Sequence, residues 1–259
     1  MKNRERAIGF SQRVRLEWLE RTANLVLAGN DRAAVEAELA ELLADRVSIG
    51  GDAERGNREK VITILLKVWA TVPKESVAFR DDGLTILRGL EKAKRLPVHW
   101  GMCLAAYPFF GAVAANVGRL LRLQGAAAAT IVQRRIREQY GERDTAARAA
   151  RRILRTYIDW GVLVEGTQPG VYLPGPVQTV TSGEFAAWLV EAYLRGVNGR
   201  RSAVQAIAES PVLFPIQLPA LGGETLLSAT RLDLLRVNES ETYVSLNRHS
   251  GIAPPAVRR

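Results

Sequence analysis

Apolar residues recur at helical spacing through the first 160 positions, and that periodicity sets the first expectations. "FSQRVRLEWLERTANLVLAG" predicts a helix ending at Gly29. "DRAAVEAELAELLADRV" predicts a second, with Asp31 as N-cap; Val35, Leu39, Leu42 and Leu43 form its apolar face, and Glu36, Glu38 and Glu41 face water. "NREKVITILLKVWATVP" predicts a third, capped by Asn57, with Val61, Ile64, Leu65, Val68 and Trp69 inward. The last two helices, with a glycine-containing connection between them, have the order of a helix-turn-helix carrying Arg58 and Lys60. The connection is long for such a unit, and a plain helical hairpin is the commoner outcome. "FRDDGLTILRGLEKAKRLP" then predicts a polar turn and a helix ending before Pro97.

Residues 96–118, "LPVHWGMCLAAYPFFGAVAANVG", contain no Asp, Glu, Lys or Arg, which raises the question of a membrane span. Pro97, Pro108, Asn116 and aromatics in mid-run argue against one. The run is expected to be a buried core segment broken near Pro108. "GRLLRLQGAAAATIVQRRIREQYG" follows as one or two helices, with Gly125 a break and Gly141 a C-cap.

The stretch "ERDTAARAARRILRTYIDWGVLVEGTQPGVYL" changes the register of the chain. Asp144 and Thr145 start a helix that Gly161 ends. On it Arg148, Arg151, Arg152 and Arg155 share one face, while Ala146, Ala150, Ile153, Leu154, Tyr157 and Ile158 take the other. Two short alternating runs then flank the turn "GTQPG". Before it, Ile131, Val132, Ile136 and Tyr140 point inward and Arg134, Arg135 and Arg137 face solvent. A helix, a tight connection, a basic helix and a two-stranded wing, over residues 130–173, is the order of a winged helix-turn-helix.

Further on, "PGPVQTVTS" is the best boundary between regions. It is followed by the helix "GEFAAWLVEAYLRG", a shorter helix over 203–209, a Pro-interrupted apolar stretch and a hairpin over "RLDLLRVNESETYVSLNR". Both halves after residue 126 thus run helices first and then a hairpin. The expected fold class is mainly α. A helical region spans 1–118, a winged helix-turn-helix 119–175 and a smaller α+β region 182–248, with a disordered tail over 249–259.

Charge sharpens the picture. The formal net charge is +9 and the sequence pI about 10.1. The excess is local: residues 119–155 carry ten arginines against three acidic residues, whereas residues 156–259 carry eight basic and nine acidic ones. A concentrated basic patch suits an anionic partner, and an arginine-lined helix suits the major groove, where guanidinium forks reach phosphates and guanine edges. Like charges three and four residues apart repel, so a stripe of this kind either meets an anion or serves as a solvated face that favours solubility. The candidate contacts to double-stranded DNA are Arg134, Arg135, Arg143, Thr145, Arg148, Arg151, Arg152 and Arg155. Gln168, in the 166–170 turn, and Arg58 and Lys60 complete the set. The rival reading is a scaffold whose basic face docks an acidic protein.

Enzymatic signatures are absent from the sequence. It has no phosphate-binding GxxxxGK[ST] loop, no GxGxxG and no HExxH, and His99 and His249 belong to no zinc-spaced cluster. Asp81 and Asp82 are expected in a turn, and His99 as a core histidine. No cofactor, metal or small-molecule substrate is expected. The single cysteine, Cys103, excludes an internal disulfide framework and suits a reducing cytoplasm, and the charged N-terminus lacks a signal-peptide core.

Three segments carry a resemblance: "GNREKVITILLKVW", "LPVHWGMCLAAYPFFGAVAANVGRLL" and "ERDTAARAARRILRTYIDWGVL". In pattern and order, over residues 16–173, the chain resembles the BrxA proteins of bacteriophage-exclusion (BREX) defence systems. The resemblance implies a small, mostly helical, non-catalytic protein acting with other phage-defence proteins. It also implies DNA binding through helix-turn-helix-like elements, which would map onto Arg58 and Lys60 and onto Arg148, Arg151, Arg152 and Arg155. The region from about Ser182 onward departs from a minimal version of that family.

Overall fold

The computed structural model describes residues 7–47, 56–141, 144–197, 199, 201–222, 226, 229–238 and 241–247. Arg143, His249 and the 249–259 tail lie outside these residues, as does most of the connection between the second and third helices.

Three N-terminal helices pack on one another: α1 (Leu16–Leu27), α2 (Arg32–Leu42) and α3 (Asn57–Trp69). Asp31 caps α2 as expected, its carboxylate accepting from the Ala34 amide at 2.9 Å. Three expectations change here. Residues 10–15 are not helical, because their polar groups are engaged by a later helix. Gly56, not Asn57, is the N-cap of α3, and the Asn57 amide oxygen instead accepts from Gln12 Nε2 at 3.1 Å. The "RDDG" stretch lies inside α4 (Val77–Gly89), not in a turn.

The reason for that last change is packing. A Cβ on Gly83 would lie 2.7 Å from the Trp188 ring, and one on Gly101 would lie 2.6 Å from the same ring. Trp188 therefore sits in a slot between two glycines on different helices. It stacks on Phe79 with centroids 4.7 Å apart and donates its indole N–H to the Phe79 carbonyl at 2.9 Å.

The charge-free run forms two helices, α5 (Leu96–Ala106) and α6 (Pro108–Gln124). They are broken at Tyr107 and bent by 119°, and among the described residues no single helix is long and apolar enough to cross a membrane. Pro97 sits in the first turn of α5, where its missing N–H costs nothing. Trp100 and Phe110 are buried in an aromatic cluster with Tyr157 and Trp160, and Phe109, also buried, meets the Tyr140 ring edge-on.

After α6 come β1 (Ala127–Ala128), α7 (Ala129–Tyr140), α8 (Asp144–Asp159), β2 (Leu163–Glu165) and β3 (Val171–Pro174). The strands form one antiparallel sheet in the order β1-β3-β2, with Ala127 opposite Tyr172 and Val164 opposite Leu173. The 174–182 stretch carries β4 (Gln178–Thr179), which pairs in parallel with β6 (Ile216–Gln217).

Between and beyond these lie α9 (Gly183–Gly196), β5 (Ser202–Ala203), α10 (Val204–Ala208), β7 (Leu232–Arg236) and β8 (Thr242–Leu246), with the second sheet ordered β5-β8-β7. A two-residue strand pairs with the last strand of a hairpin in both three-stranded sheets. The helices-then-hairpin order noted in the sequence is thus a repeated topology.

Glu191, buried on α9, accepts from Arg195 and Arg231, and Arg231 also pairs with Asp82, which ties the C-terminal region to α4. Gly118 of α6 lies so close to the 211–213 turn that a Cβ there would sit 2.0 Å from the Pro211 carbonyl oxygen.

Candidate nucleic-acid interface

The geometry of the site begins with alanines. Ala146, Ala147, Ala149 and Ala150 are buried on α8, and small side chains there let α8 pack closely on α7. Ile153, Leu154 and Tyr157 continue the buried face, and the Tyr157 hydroxyl donates to the Phe110 carbonyl at 2.9 Å. The remaining face of α8 is left outward, and Thr145, Arg148, Arg151 and Arg155 are exposed on it. Gly141, with φ of 90°, ends α7 before the short connection to α8. Gly161, with φ of 71°, turns the chain from α8 into the β2–β3 hairpin.

The four arginines are not equivalent. Arg148 and Arg151 have no hydrogen bond or ion pair among the described residues. Arg152 is half-buried and donates from Nη1 to the Ser11 carbonyl at 2.7 Å. Burial, followed by repulsion from Arg148 and Arg151, lowers its pKa from the ordinary arginine value. Arg155 pairs across to β2, its Nη1 lying 2.7 Å from Glu165 Oε1.

The segment before α1 braces this helix. Val14 N–H donates to Thr156 Oγ1 at 3.0 Å, Trp160 Nε1 donates to the Val14 carbonyl at 2.9 Å, and Arg13 pairs with Asp159. These contacts account for the non-helical conformation of residues 10–15.

Arg134 is exposed on α7, 3.7 Å from Glu138, and Arg135 is half-buried beside it. Gln168 is exposed at the hairpin tip, where its carbonyl closes the turn by accepting from Val171 N at 3.1 Å. These residues belong to the same unit as the α8 stripe. Arg58 and Lys60 do not: they lie on α3, joined to the unit through the neighbouring contacts Gln12–Asn57 and Ser11–Arg152. Arg58 donates to the Val47 carbonyl at 3.4 Å and to the Ala44 carbonyl, so its guanidinium closes the C-terminal end of α2.

Sequence reasoning missed Glu165 and Ser11 as partners of the stripe, and the pairing of Asp159 with Arg13, since each contact joins different elements. It also missed a charged cluster beneath α1. There Glu20 accepts from Arg95 and from His99 Nε2, the latter at 2.9 Å. His99 is buried as expected, but its Nδ1 has no hydrogen-bond partner among the described residues. Burial pushes the Glu20 carboxyl up, yet hydrogen bonds from His99 and Arg95 outweigh it and hold the pKa at about 2. Burial lowers the His99 pKa more than Glu20 raises it, so the ring is neutral near pH 7. Among the described residues no group of three or more His, Cys, Asp or Glu side chains could hold a metal ion. Cys103 is buried, and burial pushes its thiol pKa up.

Comparison with known protein families, curated proteins and solved structures returned no match.

Proposed function

We propose that this chain is a non-catalytic protein that binds duplex DNA through the outward face of α8, within a winged helix-turn-helix over residues 130–173. The observation that carries the reading is the pair Arg148 and Arg151. Both are exposed, adjacent on one helical face and without a counter-charge among the described residues. Two like charges held side by side cost free energy that an incoming polyanion offsets by releasing its counterions.

The order of elements supports the same reading. A helix lies against a second helix of small inward residues, and a β-hairpin follows with its tip exposed at Gln168. In this assignment α8 enters the major groove, Arg134 and Arg135 of α7 lie toward the phosphates, and the 166–170 turn reaches the flanking backbone. A role in a BREX-like phage-defence system, in the cytoplasm, is supported by the resemblance of the three segments quoted above.

Fluorescence anisotropy with a labelled duplex of about 30 base pairs, roughly three helical turns, tests the reading. Wild-type binding should weaken linearly in log–log form with salt. The slope should fall by about 1.8 in Arg148→Ala/Arg151→Ala, at about 0.9 per phosphate contact. If wild type shows no salt-dependent duplex binding, the DNA assignment fails and the same face becomes the place to seek an acidic protein partner.

A further inference from the structure

We infer that Glu165 is a built-in restraint on this interface: by engaging Arg155 in the free protein, it weakens non-specific duplex binding. The inference rests on the DNA-binding reading above and assigns that site a regulatory residue.

The Arg155–Glu165 contact is 2.7 Å, and the two side chains are 50% and 63% exposed. An ion pair this open is weak and screened, so a phosphate can displace the carboxylate. The backbone of Glu165 cannot follow a departing arginine. It lies on β2, pinned in register opposite Tyr172, which is 4% exposed, and two residues from Leu163, which is 1% exposed. Successive residues of a strand alternate faces, so Leu163 and Glu165 share the side of the hairpin that packs on α8.

The arrangement fixes a negative charge at the junction of the helix and the wing, beside the basic stripe. A phosphate reaching Arg155 must approach that charge. The stripe is therefore graded along α8. Arg148 and Arg151 are available at once, Arg152 is held by the Ser11 carbonyl, and Arg155 becomes available only by exchanging one anion for another. Such a residue suppresses binding to arbitrary phosphate backbone more than binding to a site where a cytosine amino group could meet the freed carboxylate.

The experiment measures wild type, Glu165→Gln, Arg155→Ala and the double variant by anisotropy on one duplex over a salt series, with melting temperatures recorded for each. Glu165→Gln should bind about three- to tenfold more tightly at low salt, with a slope steeper by about 0.9. In the Arg155→Ala background the same substitution should leave the slope unchanged. Glu165→Asp, which keeps the charge on a shorter arm, should fall between wild type and Glu165→Gln, so the outcome does not rest on one variant folding. Equal affinity and slope in wild type and Glu165→Gln would overturn the restraint while leaving the DNA reading intact. Wild type that fails to bind the duplex overturns both, and that is read first.

Discussion

Replacing Glu20 by Gln should make the protein less stable near neutral pH and, unusually, remove part of its sensitivity to acid. In the folded chain Glu20 ionises at about 2, against an ordinary 4.5, because Arg95 and His99 both donate to it in a site where its side chain is only 12% exposed. At 1.36 kcal/mol per pH decade, that difference corresponds to about 3 kcal/mol. The pKa is depressed on folding, so this stability is present above pH 4.5 and is lost as pH falls toward 2, where the unfolded chain takes up a proton that the folded chain refuses. His99 acts in the same direction. Its pKa is also lowered on folding, so the unfolded chain protonates first and wild type begins to weaken below about pH 6.5. Chemical denaturation of wild type and Glu20→Gln, near pH 7 and again near pH 3, checks this. The gap should be about 3 kcal/mol at the higher pH and should shrink to about 1.4 kcal/mol, less than half, at the lower. A gap of the same size at both values would refute the reasoning, because the loss would then come from packing and not from ionisation.

Two further outcomes follow from the contacts. Gly118→Ala should cost about 3 kcal/mol or more, since its Cβ would lie 2.0 Å from a backbone oxygen and 3.0 Å from Pro211 Cα, where no side chain can turn aside; a drop in melting temperature reads it. Arg152→Ala should lower stability by about 1–2 kcal/mol in urea, because the Ser11 carbonyl loses a charged donor while repulsion from Arg148 and Arg151 is relieved. It should change the DNA salt slope less than Arg148→Ala does.

Much of this architecture was legible in the chain because the cause was local. Asp31 precedes an apolar-periodic run and caps it, and Gly125, Gly141 and Gly161 stand at positive φ where the helical pattern ends. The burial of one face of α8 and the exposure of the other follow from spacing alone. Where distant residues supply the cause, the pattern misled. "RDDG" has turn composition, yet Gly83 is in a helix because an indole from α9 needs its missing Cβ. Residues 10–15 continue a helical pattern, yet Thr156, Arg152 and Trp160 claim their backbone groups. The strand β1 is two alanines without any strand signature, and only its pairing with β3 makes it one. At the candidate site the arginines were visible and their inequality was not. Arg155 and Glu165 are ten residues apart, and the turn at Gly161 brings them together.

The repeated topology supplies a last check on where the proposed anion-binding face lies. Both units place a helix, a two-residue strand and a further helix before a hairpin, and both order their strands with the last one central. They differ in what lies just before the hairpin. In the first unit that position holds α8 with its four arginines. In the second, residues 209–231 hold a 3-10 turn at Pro211–Leu213, the strand β6 and a single cation, Arg231, which Glu191 and Asp82 engage internally. The position proposed to meet phosphate in one copy is thus an internal staple in the other. Arg201 and Arg236 are the cations left exposed among the described residues of the second unit, and neither lies on a helix. If one face alone meets DNA, Arg201→Ala/Arg236→Ala should bind the duplex with wild-type affinity and slope, whereas a slope lower by about 1.8 would mean that both units lie on the backbone and that the second has kept the function by a different surface.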